Sequence, residues 1–167
     1  NPEATAEALK EGWYYTGDAG YFDDDGHLVI IGRKEDIMRT RDGEAFSPDF
    51  IETRLKFSPY IKESVIWGEG QPYLTAFINI DFGNVGNWAE DRQIPYTTYT
   101  DLSKQPQVEE LICEEVKNVN KKLPGHMQLS KMILLYKLLD ADDEELTRTG
   151  KVRRKFVSEQ YRYLIEA

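Results

Sequence analysis

The sequence predicts a small α+β domain, with β-hairpins and a short mixed sheet flanked by helices. Three observations carry that expectation. Two pairs of short apolar runs are each joined by a glycine-containing turn, the pattern of hairpins. Residues 107–123 space their apolar side chains by three and four, as a helix with one buried face does. After a short opening helix, the remaining patterns follow in the order ββ, α, ββ, α, α, β, α.

Residues 2–10 read as that opening helix, ended by Gly12. Tyr21-Phe22 and His27-Leu28-Val29-Ile30-Ile31 read as strands around Asp23-Asp24-Asp25-Gly26, where the glycine can take a positive φ. Residues 32–46 are polar and irregular, interrupted only by Ile37-Met38. Ser47-Pro48-Asp49 then starts a helix. The serine can cap, the proline lacks a donor that would be unpaired there, and the aspartate suits the positive helix end. Phe50, Ile51 and Leu55 are its apolar residues, and Ser58-Pro59 ends it.

Residues 61–67 and 73–80 read as two strands joined through Gly68-Glu69-Gly70-Gln71-Pro72. Residues 84–92 read as a short helix bearing Trp88, and residues 96–100 as a polar-aromatic connector. From Gln107, the residues Val108, Leu111, Ile112, Val116, Val119 and Leu123 form one helical face, ended by Pro124-Gly125. Residues 132–135 read as a strand and 156–165 as a final helix.

Composition excludes several classes. Apolar runs such as Val29-Ile30-Ile31 and Met132-Ile133-Leu134-Leu135 fall far short of the roughly 20 residues a membrane-spanning helix needs. The single cysteine, Cys113, excludes an internal disulfide framework and a multi-thiolate zinc site, and fits a reducing compartment. His27 and His126 lie too far apart in sequence to suggest a histidine-rich metal centre. With 30 acidic against 21 basic groups, the net charge of −9 opposes nucleic-acid binding. The start, Asn1-Pro2-Glu3, has no methionine and no signal core, so a piece of a longer polypeptide is expected.

Charge changes sign sharply late in the chain. Residues 140–145 hold five acids in six positions, and residues 148–155 hold five bases in eight. Two readings of the basic run stay open: a docking patch for a polyanion or partner, or a surface patch neutralised by the adjoining acids.

Three polar motifs carry candidate chemistry. Thr16-Gly17-Asp18 can present a carboxylate to a pair of sugar hydroxyls, or it is a turn whose aspartate bonds its own backbone. Gly32-Arg33-Lys34-Glu35-Asp36 offers a guanidinium fork suited to phosphate or vicinal hydroxyls, or is a solvated charged loop. Leu146-Thr147-Arg148-Thr149-Gly150-Lys151 can project a lysine as a point charge, or is plain basic surface. Cys113 reads as an inert thiol at the edge of its helix face, Trp67 and Trp88 as packing residues, and His126 as loop surface.

Order and spacing add what each motif lacks. Trp13-Tyr14-Tyr15-Thr16-Gly17-Asp18-Ala19-Gly20-Tyr21-Phe22-Asp23, then Gly26-His27-Leu28, is followed by Gly32-Arg33-Lys34-Glu35-Asp36-Ile37. Asp42-Gly43-Glu44-Ala45-Phe46-Ser47-Pro48 with Ile51-Glu52 comes next, and Leu146 to Arg154 closes the series. The series resembles the adenylate-forming superfamily, which holds acyl-CoA synthetases, luciferases and peptide-synthetase adenylation domains. The stretch 77–135 is most similar to the long-chain fatty acyl-CoA ligases, and the likeness runs from about residue 12 to the end of the chain.

That resemblance implies a two-step ligase using ATP, CoA and a fatty acid, with residues 1–33 ending a large N-terminal domain and residues 34–167 forming a small mobile C-terminal lid domain. The phosphate loop and acyl pocket would lie in the N-terminal domain, which would be the lid's partner and would bind most of the Mg2+ that accompanies ATP. The fragment alone is therefore expected to be inactive. The resemblance also implies a cytoplasmic enzyme, with any peripheral membrane contact through the part not present here.

Among its residues, Lys151 would be the adenylation cation, Asp18 and Arg33 would bind the ribose and phosphate side of ATP or AMP, and Glu35 would be the hinge. Gly43 and Glu44 would line the CoA tunnel. Arg41-Asp42-Gly43-Glu44 stands where the family often has Ser-Gly-Gly-Glu, and Leu146 where it often has proline. The alternatives are a non-catalytic binding module using residues 148–155, or an adenylation domain serving a carrier protein.

Overall fold

The computed structural model describes residues 2–149 and 152–166. They fall into two compact units, dividing after Ile37, and each is described by itself.

The first unit opens with α1 (Pro2–Ala8), which stops short of the expected end. The next residues turn back as a tiny hairpin instead, β1 (Leu9–Lys10) on β2 (Trp13–Tyr14). Glu11 and Gly12 both have positive φ between them, 51° and 81°, as a tight hairpin turn demands. The main hairpin pairs β3 (Asp18–Phe22) with β4 (Leu28–Arg33). Asp23 closes its turn, Oδ1 accepting from the amides of Asp25 and His27 at 3.1 and 2.7 Å. A bulge lies between Ala19 and Gly20, and a Cβ at Gly20 would sit 2.7 Å from the Val29 carbonyl oxygen. A single 3-10 turn (Lys34–Asp36) follows.

The second unit begins with a feature that polar composition hides. Residues 38–46 form a short hairpin, β5 (Met38–Arg39) on β6 (Ala45–Phe46), where an irregular stretch was expected. Such two-residue strands are too short for alternation to register in sequence. Ser47 caps α2 (Pro48–Leu55), its Oγ accepting from Phe50 N–H at 3.3 Å. β7 (Ile61–Trp67) and β8 (Leu74–Ile80) form the expected antiparallel pair.

The chain then crosses over through three helices: α3 (Phe82–Glu90), α4 (Tyr99–Ser103) and α5 (Pro106–Asn120). It returns as β9 (Leu129–Leu134), parallel to β8. A parallel neighbour needs a connection of that length, so the sheet is mixed, in the order β7-β8-β9. β8 is central, and all seven of its residues are buried, which explains its nearly continuous apolar run. On α5, Val108, Ile112 and Val116 are the buried face.

α4 corrects the connector expected at 96–100. Thr98 caps it, and the Tyr99 hydroxyl accepts from Asn79 Nδ2 at 3.0 Å and donates to the Leu135 carbonyl at 3.2 Å. Likewise the last helix is two pieces, α6 (Arg154–Gln160) and α7 (Tyr163–Glu166). Val157 and Tyr161 join Val65, Phe77, Leu135 and Leu139 in one buried cluster, with Trp67 packed against it. No helix among the described residues is long and apolar enough to cross a membrane.

Candidate functional site

Asp18 and Arg33 are cross-strand partners at the open end of the β3–β4 hairpin. Arg33 Nη1 lies 3.2 Å from Asp18 Oδ1 and donates to the Thr16 carbonyl at 2.8 Å. The Asp18 amide donates to Thr16 Oγ1 at 3.1 Å, and Lys34 N–H donates to the Gly17 carbonyl at 2.8 Å. Gly17 has φ +75°, the conformation this tight approach requires. Both side chains stay exposed, Arg33 by 59 % and Asp18 by 36 %. The Asp18 carboxylate can accept from vicinal hydroxyls while the guanidinium beside it donates to an anionic oxygen.

Glu35 lies in the 3-10 turn that follows, where no residue is buried. Asp18, Arg33 and Glu35 thus all belong to the first unit, whereas Gly43 and Glu44 belong to the second.

The loop bearing Gly43 and Glu44 folds on itself. Thr40 N–H donates to the Glu44 carbonyl at 2.9 Å, Gly43 N–H to the Thr40 carbonyl at 3.0 Å, and Arg39 Nη1 to the Gly43 carbonyl at 2.8 Å. Gly43 has φ +87° and open space where a Cβ would be, so backbone conformation is what asks for glycine. Reciprocal backbone bonds fasten this loop to the 68–71 turn, from Arg41 N–H to Gln71 and from Gly70 N–H to Arg39, each 2.9 Å.

Lys151, with Gly150, lies outside the described residues. The base of its loop is described. Leu146 bridges Val152, and Arg153 N–H donates to the Glu145 carbonyl at 2.8 Å. Glu145 itself is fully buried. Its carboxylate accepts from the Tyr161 hydroxyl at 2.6 Å and the Asp140 amide at 2.9 Å, and meets Lys137 Nζ at 3.0 Å. Burial, with that bond, pushes the Tyr161 phenol up from its usual range.

On the far side of the loop, Arg154 reaches α2. Its Nη1 donates to Glu52 Oε1 at 2.9 Å and Nη2 to Glu52 Oε2 at 3.1 Å, and Nη2 also pairs with Asp49. Glu52 Oε1 accepts from Ile66 N–H on β7 at 2.8 Å. Burial pushes the Glu52 carboxyl up to about 7, against the opposing pull of Arg154 and that amide. Arg153 pairs with Glu144 at 3.3 Å, so the basic run is partly neutralised within the chain. Beside Arg154 a cavity of about 640 Å³ opens, with Met38, Trp67, Lys155 and Arg162 among its walls.

Sequence reasoning missed Glu52, Glu145 and Tyr161. Glu52 carried a faint signal, a charge next to Ile51 on a helix otherwise buried there. Glu145 carried none, being indistinguishable from the acidic run around it. The structure brings Asp18 and Arg33 together across the hairpin, a pairing that the two motifs, read separately, did not predict. It leaves His126 exposed and Cys113 partly buried. Trp88 is also partly buried, with the Arg92 guanidinium 4.4 Å over its ring.

Residues 35–167 match the family model described as the AMP-binding enzyme C-terminal domain. The chain belongs to that family. The match begins at Glu35, while the first compact unit ends at Ile37. Likeness to proteins named as fatty-acid–CoA ligases extends further, across the β3–β4 hairpin. The long-chain-fatty-acid–CoA ligase FadD15 of Mycobacterium tuberculosis is 34 % identical over 100 % of this chain, which spans 28 % of that protein. Long-chain-fatty-acid–CoA ligase 1 of Homo sapiens is 31 % identical over 99 % of the chain, which spans 24 % of it. This chain thus spans less than a third of the length of either relative.

Solved structures agree on the fold. The adenylation domain of a carboxylate reductase from Mycobacterium chelonae superposes with a TM-score of 0.64 at 21 % identity, over 99 % of this chain and 24 % of that one. Apo MatB from Rhodopseudomonas palustris superposes with a TM-score of 0.58 at 21 % identity, over 96 % of this chain and 27 % of that one.

Proposed function

We propose that this chain is the C-terminal part of an ATP-dependent, AMP-forming fatty acid–CoA ligase. Residues 1–33 would end the N-terminal domain and residues 34–167 would be the lid. In the first half-reaction a carboxylate oxygen of the fatty acid attacks the α-phosphorus of ATP. The new C–O–P link forms as the bond to pyrophosphate breaks, and pyrophosphate leaves. Charge gathers on phosphoryl oxygens while a second anion approaches, so a positioned cation lowers the barrier. Lys151 is that cation. Asp18 accepts from the ribose hydroxyls, and Arg33 donates to the ribose or phosphate side.

In the second half-reaction the CoA thiol loses its proton and attacks the acyl carbonyl, and AMP leaves. Rotation about Glu35 withdraws Lys151 and carries the Gly43–Glu44 loop to the acyl-adenylate, where it lines the tunnel for the incoming thiol. Such rotations need only a few residues that absorb dihedral change. ATP enters with Mg2+ as substrate. Among the described residues no cluster of His, Cys, Asp and Glu has the makings of a metal site, so no ligand to that ion is assigned to this chain.

The observation carrying this reading is where the family match starts. It opens at Glu35, on the 3-10 turn directly after the Asp18–Arg33 pair and just before the chain divides into two units. A hinge belongs there. The relatives named as fatty-acid–CoA ligases match across both units, which favours CoA over a carrier protein as acceptor.

The test uses the full-length polypeptide. Lys151→Ala should abolish ATP–pyrophosphate exchange while sparing thioester formation from supplied acyl-AMP. Exchange at the normal rate would show the cation assignment to be wrong.

A further inference from the structure

We propose that the turn of residues 68–71 braces the Gly43–Glu44 loop, with Gly70 as the positioning residue. The proposal rests on the reading of that loop as the lining of the CoA tunnel and extends it to what aims the loop.

Three observations lead to it. First, the bonds inside the loop give it a shape but no direction. Thr40, Gly43 and Glu44 bond one another, and Arg39 Nη1 bonds the Gly43 carbonyl. All of these lie within one hairpin whose strands are two residues each, and a lone two-stranded hairpin is marginal in water. Among the described residues, the backbone hydrogen bonds that leave residues 38–46 for another element run to this turn alone. Arg41 N–H donates to the Gln71 carbonyl and Gly70 N–H to the Arg39 carbonyl, each at 2.9 Å. Thr40 thus bonds inward to Glu44, while the residues on either side of it bond outward to the turn.

Second, the turn is itself fixed at its root. Gln71 N–H donates to the Gly68 carbonyl at 3.0 Å, closing four residues of which Gly70, the third, has φ +67°. That is the position at which a type II turn asks for glycine. Gly68 has no room for a side chain. A Cβ there would stand 2.2 Å from Leu74 Cδ2 and 3.4 Å from Phe46 Cζ, and both of those residues are buried. The root of the turn therefore sits against the core end of β6 while its tip holds β5.

Third, a Cβ at Gly70 would meet nothing within 4 Å. Backbone conformation alone asks for glycine there, so a side chain disturbs the turn without a clash. Met38, Gly68, Glu69 and Gln71 border the cavity of about 640 Å³, so no packed layer on that flank would hold the hairpin if the two bonds opened.

The experiment compares Gly70→Asn, Gly70→Ala and Gly70→Val in the full-length polypeptide. Tolerance of positive φ falls in that order. Bracing predicts that Gly70→Val slows thioester formation from supplied acyl-AMP by about tenfold or more. Gly70→Ala, the safeguard should the valine variant fold poorly, loses less, and Gly70→Asn keeps most of the unaltered rate. ATP–pyrophosphate exchange stays normal in all three, and amide hydrogen exchange across residues 39–44 quickens in the same order. Equal losses in both half-reactions, losses that ignore the order, or unaltered thioester formation would each overturn the proposal. A Gly43→Val control separates the two readings. If it leaves thioester formation intact, the tunnel assignment fails, whatever residues 39–44 do. If it cripples that step while Gly70→Val does not, the tunnel assignment stands and the brace fails.

Discussion

Arg33 holds Asp18 across the open end of a hairpin, Nη1 to Oδ1 at 3.2 Å, and the same nitrogen donates to the Thr16 carbonyl at 2.8 Å. The carboxylate is thereby pre-oriented by a group that stays in water. Arg33→Ala should therefore separate binding from stability. An exposed pair is worth at most about 1 kcal/mol, so the unfolding midpoint of the chain should barely move. In the full-length polypeptide, KM for ATP should rise severalfold. Arg33→Lys should restore little of it, because an ammonium lacks the planar fork. A large drop in stability with unaltered KM would assign Arg33 to the fold alone.

Glu52 predicts a pH dependence whose sign can be worked out. Its folded value, about 7, lies above its ordinary value of 4.5, so between the two the folded chain binds more protons than the unfolded one. Stability contributed by this group is thus present at low pH and lost as pH rises through 7. The groups facing it are Arg154 from α6, Asp49 and Lys56 from the α2 segment, and the Ile66 amide of β7. The span corresponds to roughly 3 kcal/mol. Urea midpoints between pH 5 and 8 should fall more steeply for the unaltered chain than for Glu52→Gln. Parallel curves would mean that Glu52 remains ionised throughout.

Tyr161→Phe should be costly despite preserving shape. The ring stays beside Phe77, with centroids 5.9 Å apart, but Glu145 loses the hydroxyl 2.6 Å from Oε1. A buried acceptor left short of a donor costs about 1–3 kcal/mol. Chemical unfolding of the variant measures it, and a change within a few tenths of a kcal/mol would mean that Lys137 and the Asp140 amide satisfy the carboxylate unaided.

The hairpin pairs, the capped helix at Ser47 and the long helix with its buried stripe were legible in the sequence, because spacing and caps act within one or two turns of chain. The Asp18–Arg33 pairing was not, because the strands read from the sequence, 21–22 and 27–31, stop short of both residues. The β5–β6 ribbon escaped notice because strands of two residues show no alternation, and α4 because its stabilising partners, Asn79 and Leu135, lie in other elements.

Local physics in the sequence therefore determined the α+β class, the type and order of the longer elements and the order of the motifs that identify the family. Only the tertiary structure decided that β9 lies parallel to β8, that Glu145 is buried while its acidic neighbours are solvated, and that Arg154 is seized by Glu52. Each of these depends on groups distant in sequence. Desolvation and hydrogen-bond geometry, which select among equally acidic residues, come into being only when the chain has closed around them.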